Sequence, residues 1–404
     1  MIVVTSALTE CRSCYSRELR PVLKLESIPL GDKFSKIQNR EERHPVRLVN
    51  CDSCGLVQFD GLINSAAIFE IPKVSEVESI IEEDCATDFG CTQQTLRIDG
   101  TFDYVWKTLG DDRKRIISLE GYLLSESLRE SGTLISWEGC LSAETVDRFL
   151  SRFGQVDQII IDNSNRLQHP LHISNVGDVR SYAAHLSRIL KKSGEISVRF
   201  PAIFPLLLSG LVGYVYHEHQ SFFCSESISR VFSEVDLALS EARYCDDGLN
   251  VVLRFVRGEK VQSPSWETTD LKTQEARYRP QKEKMLWDLR ARLDRCIEEL
   301  EKQLKFSVFP ELAGFGASVA GISLMYQLRL ERRLNFLFDD SDHRLGQLSP
   351  EGNLEVKKPI ATRSSDSMAT VILVPLYAET IASKHKGKLG TVVNPRLRLK
   401  GQYG

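Results

Sequence analysis

Hydrophobic positions follow two periods along the chain, and from about residue 115 the two alternate. Short apolar runs bounded by polar or glycine residues predict strands at RIISLEG (115–121), TLISWEG (133–139), QVDQIIID (155–162), EISVRF (195–200) and LNVVLRFV (249–256). Helical spacing falls between them. It covers Leu123 to Arg129, and residues 178–191, where Tyr182, Leu186 and Leu190 lie four apart. Lys192-Ser193-Gly194 is expected to break that second helix. Residues 227–244 predict a helix followed by a strand. Strands alternating with helices imply an α/β fold with a mainly parallel, doubly wound sheet.

A second unit of the same kind starts at Phe306. FSVFPELAGFGAS leads into a helix through Leu328, NFLFDD (335–340) and ATVILVP (369–375) predict strands, and YAETIASK (377–384) a helix. Between the units, residues 258–270 form a boundary, and a charged segment runs from Thr268 to Lys305. Its Leu286, Leu289, Leu293, Ile297, Leu300 and Leu304 predict a connecting or packing helix, with a short coiled-coil dimer seam as the alternative. Residues 63–100 carry few strand signals and an acidic stretch, Glu76 to Asp84. The expected divisions are 1–62, 63–258, 259–305 and 306–404.

Composition narrows the partners. A chain of 404 residues suits two or three domains. Its 52 basic and 55 acidic residues, net charge −3, argue against a whole-chain nucleic-acid binder. The longest apolar run, Phe204 to Val215, falls short of the roughly 18 residues of a membrane span. The start, MIVVTSALTECRSC, has no basic region ahead of an apolar one. The expectation is a cytoplasmic protein, a monomer or weak homodimer, with neither nucleic acid nor membrane as partner.

The ten cysteines are unevenly placed. Four form two pairs, Cys11-Arg-Ser-Cys14 and Cys51-Asp-Ser-Cys54, and Gly55 follows the second. Each C-x-x-C turn brings two sulfurs to one ion, and two turns supply the tetrahedral S4 set that zinc prefers. Four thiolates leave no open coordination position, so the zinc is expected to be structural. Residues 1–62 are therefore read as a zinc-binding module.

The densest polar cluster is Tyr216-His217-Glu218-His219. Two histidines and a carboxylate can exchange protons or bind a metal, and no third-ligand motif lies nearby. On a strand, His217 and His219 would face the same side. Asn165, His169, His172 and Asn175 follow the strand ending at Asp162, in the kind of loop where doubly wound sheets bind ligands. Gly314-Phe315-Gly316-Ala317-Ser318 opens a helix after a strand. Such a loop lets backbone N–H groups approach an anion, although close strand–helix packing also calls for glycine. Asp339 and Asp340 end the next strand, where a ribose-binding acid would sit. Lys384, Lys386, Lys388, Arg396, Arg398 and Lys400 make a basic tail, read as solvated surface.

Taken together these residues resemble the bacterial sugar C-methyltransferase family, over nearly the whole chain. The matching stretches are CRSC, VLKLESIPLGDKF, HPVRLVNCDSCGLVQFD, the loop Asn165-x-Leu167-x-His169, YHEHQSFF, GFGAS, FDD and HRLGQLSP. The resemblance implies three parts after the zinc module's pattern: a central Rossmann-like methyltransferase domain, the connecting helix, and a C-terminal Rossmann-like α/β domain that binds a sugar nucleotide. It implies methyl transfer from S-adenosylmethionine to a carbon beside the ketone of a nucleotide-linked ketosugar. By resemblance His219, His217 or Tyr216 handles the proton, Glu218 tunes or orients them, and Asn165 and His169 help hold the sugar. Gly314, Gly316, Ser318, Asp339 and Asp340 would meet the nucleotide part.

The sequence departs from the family at the methyl donor. The family carries a Glu-x-Gly-x-x-x-Gly-like loop after the first central strand. Here Glu120 and Gly121 are followed by Tyr122, where small residues belong. Glu138 stands where a ribose ligand is expected, the family's Tyr- and Ser-rich stretch is missing from residues 66–90, and its Gly-Gly-Ser reads Asp246-Asp247-Gly248-Leu249-Asn250. Two other readings stay open. One is a donor-independent ketosugar epimerase, isomerase or dehydratase, and the other a non-catalytic protein that binds a nucleotide sugar.

Overall fold

The computed structural model describes residues 7–31, 33–38, 42–61, 80–83, 116–118, 134–137, 141–161, 172–258, 264–306, 309–359 and 368–395. The chain opens with three antiparallel strands, β1 (Leu19–Ile28), β2 (His44–Cys51) and β3 (Val57–Phe59). Four central strands follow: β4 (Ile80–Glu83), β5 (Ile116–Ser118), β6 (Leu134–Trp137) and β7 (Val156–Ile161). Helix α1 (Ala143–Phe153) precedes β7 and starts on a capping box in which Ser142 and Thr145 satisfy each other's backbone. Helix α2 (Val179–Ile189) is capped by the Asp178 carboxylate.

Helix α2 passes straight into β8 (Leu190–Pro201). The strand thus starts before the expected break at 192–194, and the extra residues form a bulge between the Val156–Leu190 and Gln158–Glu195 pairs. The apolar stretch after β8 becomes α3 (Ile203–Ser209) and a short 3-10 turn, Val212–Tyr214, all packed inside. Next come β9 (Ser221–Phe222), α4 (Ser225–Ser233), β10 (Leu237–Tyr244) and β11 (Asn250–Arg257).

The central sheet has the order β10-β11-β8-β7-β5-β6-β4. Its middle strands β8, β7, β5 and β6 are parallel, and β11, β10 and β4 pair antiparallel. Strand β4 lies in the acidic stretch, in a region where strand signals are few. The buried run Ile196, Val198 and Phe200 of β8 joins the core beneath Val179, Tyr182, Ala183 and Leu186 of α2. A sheet covered by helices reads as nearly continuous apolar residues for this reason.

Helices α5 (Trp266–Tyr278) and α6 (Lys282–Phe306) lead to the last sheet. Met285, Leu286, Leu289, Leu293, Ile297 and Leu300 of α6 are buried in the same core as α3 and β1. The seam that could have made a coiled-coil dimer is therefore covered by the chain itself. The last unit comprises β12 (Glu311–Phe315), α7 (Val319–Gln327), β13 (Phe336–Phe338), β14 (Val356–Lys357), β15 (Met368–Ile372), α8 (Ala378–Lys384) and β16 (Thr391–Val393). Its five strands are all parallel, in the order β14-β13-β12-β15-β16. Among the described residues no helix is long and apolar enough to cross a membrane.

Candidate metal centre and active site

The zinc module supplies its metal ligands from two local turns. The turn after Cys51 closes by a hydrogen bond from the Gly55 N–H to the Cys51 carbonyl at 2.8 Å. Gly55 sits at φ +74°, which a side chain would resist. The ligand atoms of Cys11, Cys14, Cys51 and Cys54 all lie within 4.8 Å of one another. Cys11 and Cys54 sulfurs are 3.5 Å apart and those of Cys14 and Cys51 3.6 Å apart. A tetrahedron with Zn–S of about 2.3 Å has edges of roughly 3.8 Å, so the residues present fit zinc. Arg12, inside the first turn, is buried and donates to the Phe59 carbonyl at 2.8 Å and the Gly61 carbonyl at 2.6 Å. That clamp ties the turn to β3.

The zinc sheet is finished by a strand from elsewhere. Strand β9 pairs with β3, Val57 opposite Phe222 and Gln58 opposite Ser221. The Phe59 N–H also donates to the Gln220 carbonyl at 3.0 Å. Residues 220–222 directly follow the Tyr-His-Glu-His cluster, so the zinc module holds the cluster's exit.

The cluster is a turn, not a strand. The His219 N–H donates to the Tyr216 carbonyl at 3.1 Å and folds the four residues back. His217 and His219 consequently part company, contrary to the same-side expectation for a strand. The His217 ring meets His44 and Phe59 of the zinc module, with centroids 5.8 and 5.3 Å away. The His219 ring stacks on Tyr216 at 4.2 Å. Its Nδ1 lies 2.9 Å from the Tyr214 carbonyl and its Nε2 3.1 Å from the Tyr216 hydroxyl. A carbonyl only accepts, so Nδ1 carries the proton and the Nε2 lone pair receives the Tyr216 hydroxyl. Tyr216, Glu218 and His219 are each 1% exposed.

Burial lowers the His219 pKa to about 4, against a smaller opposing effect of the Tyr214 carbonyl. Burial, and then the neighbouring His44, lower that of His217 to about 4 as well. Both rings are therefore neutral near pH 7, as a proton acceptor must be. The unfolded chain binds these two protons near pH 6.5. Stability is then level above pH 6.5 and falls as the pH drops from 6.5 towards 4, by about 2 kcal/mol per ring at pH 5. Thermal unfolding at pH 7.5 and 5.0 should show this loss, and His217→Asn should make it smaller. An equal loss in that variant would place the effect elsewhere.

Two further groups converge on the turn. His172 is buried, with Nε2 3.3 Å from the Arg199 carbonyl, and its Nδ1 accepts from the Ser174 N–H at 3.3 Å. The Ser174 carbonyl accepts from the N–H groups of Gln220 and Ser221, and the Gln220 side chain donates to the Asn175 carbonyl. The loop of His172 and Asn175 is thus bound to the residues leaving the turn. From the other side, α7 packs on residues 212–215. A Cβ on Gly213 would lie 2.7 Å from the Ala320 carbonyl oxygen, and Ser323 donates its hydroxyl to the Val215 carbonyl at 3.2 Å. The zinc module, the central unit and α7 therefore all pack along residues 212–222, on either side of the turn.

The C-terminal candidates gather at the carboxyl ends of β12 and β13. Gly316 takes φ +115°, and a Cβ there would meet Val374 at 2.9 Å. Gly314 faces Leu373, Leu334 and Leu337 just as closely, so packing alone accounts for that glycine. Ser318 caps α7 by accepting from the Gly321 N–H at 3.1 Å. Asp339 accepts from the Ala317 N–H at 2.6 Å and the Ser341 N–H at 2.8 Å, and so braces the loop. Asp340 pairs with Lys384 at 2.8 Å and His385 at 2.9 Å, which draws its pKa down against the cost of burial.

Glu120, Gly121, Tyr122, Glu138, Asn165 and His169 lie outside the described residues. Cys224, five residues beyond His219 in sequence, caps α4 beside Ser227. Sequence reasoning named His172 but missed His44 and Arg12 as partners of the site. Their contacts join residues far apart in the chain, and no local spacing marks them.

The central sheet, with its parallel middle and reversed last strand, joined to a four-cysteine module, defines a Rossmann-like methyltransferase fold carrying zinc. Two family models match the chain. One, a zinc binding domain, covers residues 11–69, and the other, a C-methyltransferase C-terminal domain, covers residues 250–392. The chain belongs to this zinc-containing C-methyltransferase family and is an enzyme of the methyltransferase class. Among curated proteins none matches it by sequence.

Solved structures of slight similarity include a TehB-like SAM-dependent methyltransferase from Corynebacterium glutamicum. It has 12% identity and a TM-score of 0.26, over 39% of this chain and 86% of that one. An O-methyltransferase family protein from Burkholderia thailandensis has 17% identity and a TM-score of 0.31, over 40% and 57%. A 1,6-didemethyltoxoflavin-N1-methyltransferase from the same organism, solved with 1,6-didemethyltoxoflavin and S-adenosylhomocysteine, has 9% identity and a TM-score of 0.27, over 40% and 78%. The assignment rests on the two family models.

Proposed function

We propose that this methyltransferase moves a methyl group from S-adenosylmethionine to a carbon beside the ketone of a nucleotide-linked sugar. The observation that supports it most is the neutral, buried His219 whose Nε2 lone pair, among the described residues, receives the Tyr216 hydroxyl. A ketone acidifies its neighbouring C–H. The His219–Tyr216 pair removes that proton, either at Nε2 directly or at the phenolic oxygen with Nε2 taking the phenol's proton. The enolate carbon takes the methyl group from the sulfonium, and S-adenosylhomocysteine leaves. The proton stays on the pair until solvent removes it.

In this reading Glu218 orients the turn, and His217 packs the turn on the zinc module. Asn165 and His169, which follow β7 in sequence, hold the sugar. Gly316, Ser318 and Asp340 meet the nucleotide at the carboxyl ends of β12 and β13, with Asp339 bracing them from beneath and Gly314 packed within the sheet. Glu120 and Gly121 meet the methionyl part of the donor and Glu138 its ribose. The zinc has no part in the chemistry, because four thiolates fill its coordination.

Calorimetry with S-adenosylmethionine and S-adenosylhomocysteine tests the donor. Micromolar binding is expected. Absence of binding, together with solvent deuterium entering a nucleotide-linked ketosugar, would restore the donor-independent reading. Absence of both would leave a protein that only binds the sugar.

A further inference from the structure

The second zinc turn touches a buried cation from the other end of the sequence. Lys282, the first residue of α6, is 6% exposed and donates from Nζ to the carbonyl of Gly55. Nζ would lie 3.4 Å from a Cβ placed on Gly55. A buried ammonium normally has a carboxylate partner, because removing a lone charge from water is costly. Lys282 forms no ion pair with a carboxylate among the described residues. The nearby acids Asp52 and Glu283 are both taken by Arg20. Burial pushes the Lys282 pKa down, and the sulfurs of Cys224 and Cys54 oppose that shift. Arg230 approaches from α4, donating to the Ser53 carbonyl at 3.3 Å, and its charge is favoured first by Glu226 and also by Cys54 and Cys14.

A zinc ion with four thiolates carries two net negative charges. That dianion is the counter-charge the buried lysine lacks. We infer that Lys282 is a positioning residue of the zinc site: its ammonium balances the thiolate charge and fastens the start of α6 to the zinc turn, so metal retention and the seating of that helix depend on each other. Groups behind metal ligands act in this way, by steadying the ligand atoms and their charge.

Zinc release from the full chain to the chromogenic chelator 4-(2-pyridylazo)resorcinol tests the inference without reference to activity. Lys282→Gln keeps an N–H donor for Gly55 and removes the charge. It is expected to release zinc about 10- to 100-fold faster, and Lys282→Arg to stay close to the unaltered protein. Arg292→Gln serves as control, since Arg292 is another buried cation of α6 and donates to the Leu207 carbonyl at 2.9 Å. It should lower the melting temperature and leave zinc release unchanged. Unchanged release in Lys282→Gln, or equal acceleration in Arg292→Gln, overturns the inference. The unaltered protein supplies a second readout that needs no variant to fold. Lys282 should resist acetylation by acetic anhydride with zinc bound and react once zinc is chelated. Equal reactivity in both states also overturns it.

Discussion

Cys54→Ser is expected to cost the protein its zinc and, with it, the active turn. A serine hydroxyl stays protonated near neutral pH and is a poor zinc ligand, whereas the thiolate is an obligatory part of the S4 set. Structural zinc in comparable small modules contributes about 10–16 kcal/mol of apparent binding energy, far above what this short sheet can supply by burial. Its loss should loosen the turn that leads into β3. Among the described residues β3 pairs with β9 on the side away from β2, and β9 follows His219 after one residue, Gln220. The expected result is zinc retention reduced at least 100-fold, a melting transition at lower temperature, and turnover lost in proportion to zinc. Chelation of the unaltered protein should reproduce all three. Full zinc content and unchanged melting in Cys54→Ser would sink the proposed link from metal to turn.

His219→Ala should have the second largest effect, with the fold left standing. The side chain is enclosed between Tyr216 and Phe222, whose ring centroids lie 4.2 and 6.0 Å away, and it contributes an acceptor rather than an ion pair. A positioned general base accounts for about 10²–10⁴ in rate, so turnover should fall by that factor. Solvent deuterium exchange at the substrate carbon should fall with it, because both need the same proton removed. Tyr216→Phe removes the hydroxyl 3.1 Å from Nε2, and should reduce both rates less if His219 is the base and as much if the phenolic oxygen is. His217→Asn should chiefly lower stability, since its neighbours His44 and Phe59 belong to the zinc module. Undiminished exchange in His219→Ala would move the base to another residue.

Much of the architecture was legible because it depends on neighbours in sequence. The two C-x-x-C pairs specify a metal site by spacing alone, since each turn fixes two sulfurs within one loop. The apolar runs of β7, β8, β11, β12 and β15 and the four-residue spacing of α2 announce their elements locally. Strand β4 was hidden because IIEE carries its acids on a strand at the sheet edge, where polar residues are tolerated. The bulge that starts β8 at Leu190 was hidden too. It is set by pairing with β7, while Gly194 alone reads as a stop.

The site was legible in membership and not in arrangement. Tyr216-His217-Glu218-His219 stood out by composition, yet strand logic put both histidines on one side. A single backbone hydrogen bond, His219 to Tyr216, makes the segment a turn and sends the rings to different neighbours. Likewise the leucines of α6 specify an apolar stripe but not what covers it, and the chain's own core does.

Sequence alone determined which residues could bind metal, form strands and helices, or move a proton, because those properties belong to side chains and to spacings of a few residues. Only the tertiary structure decided that β9 completes the zinc sheet, that Lys282 meets Gly55, and that the residues on either side of the His219 turn are held by the zinc module, the central unit and α7. Those pairings are chosen by the burial of whole surfaces, summed over residues hundreds of positions apart, and no local pattern records that sum.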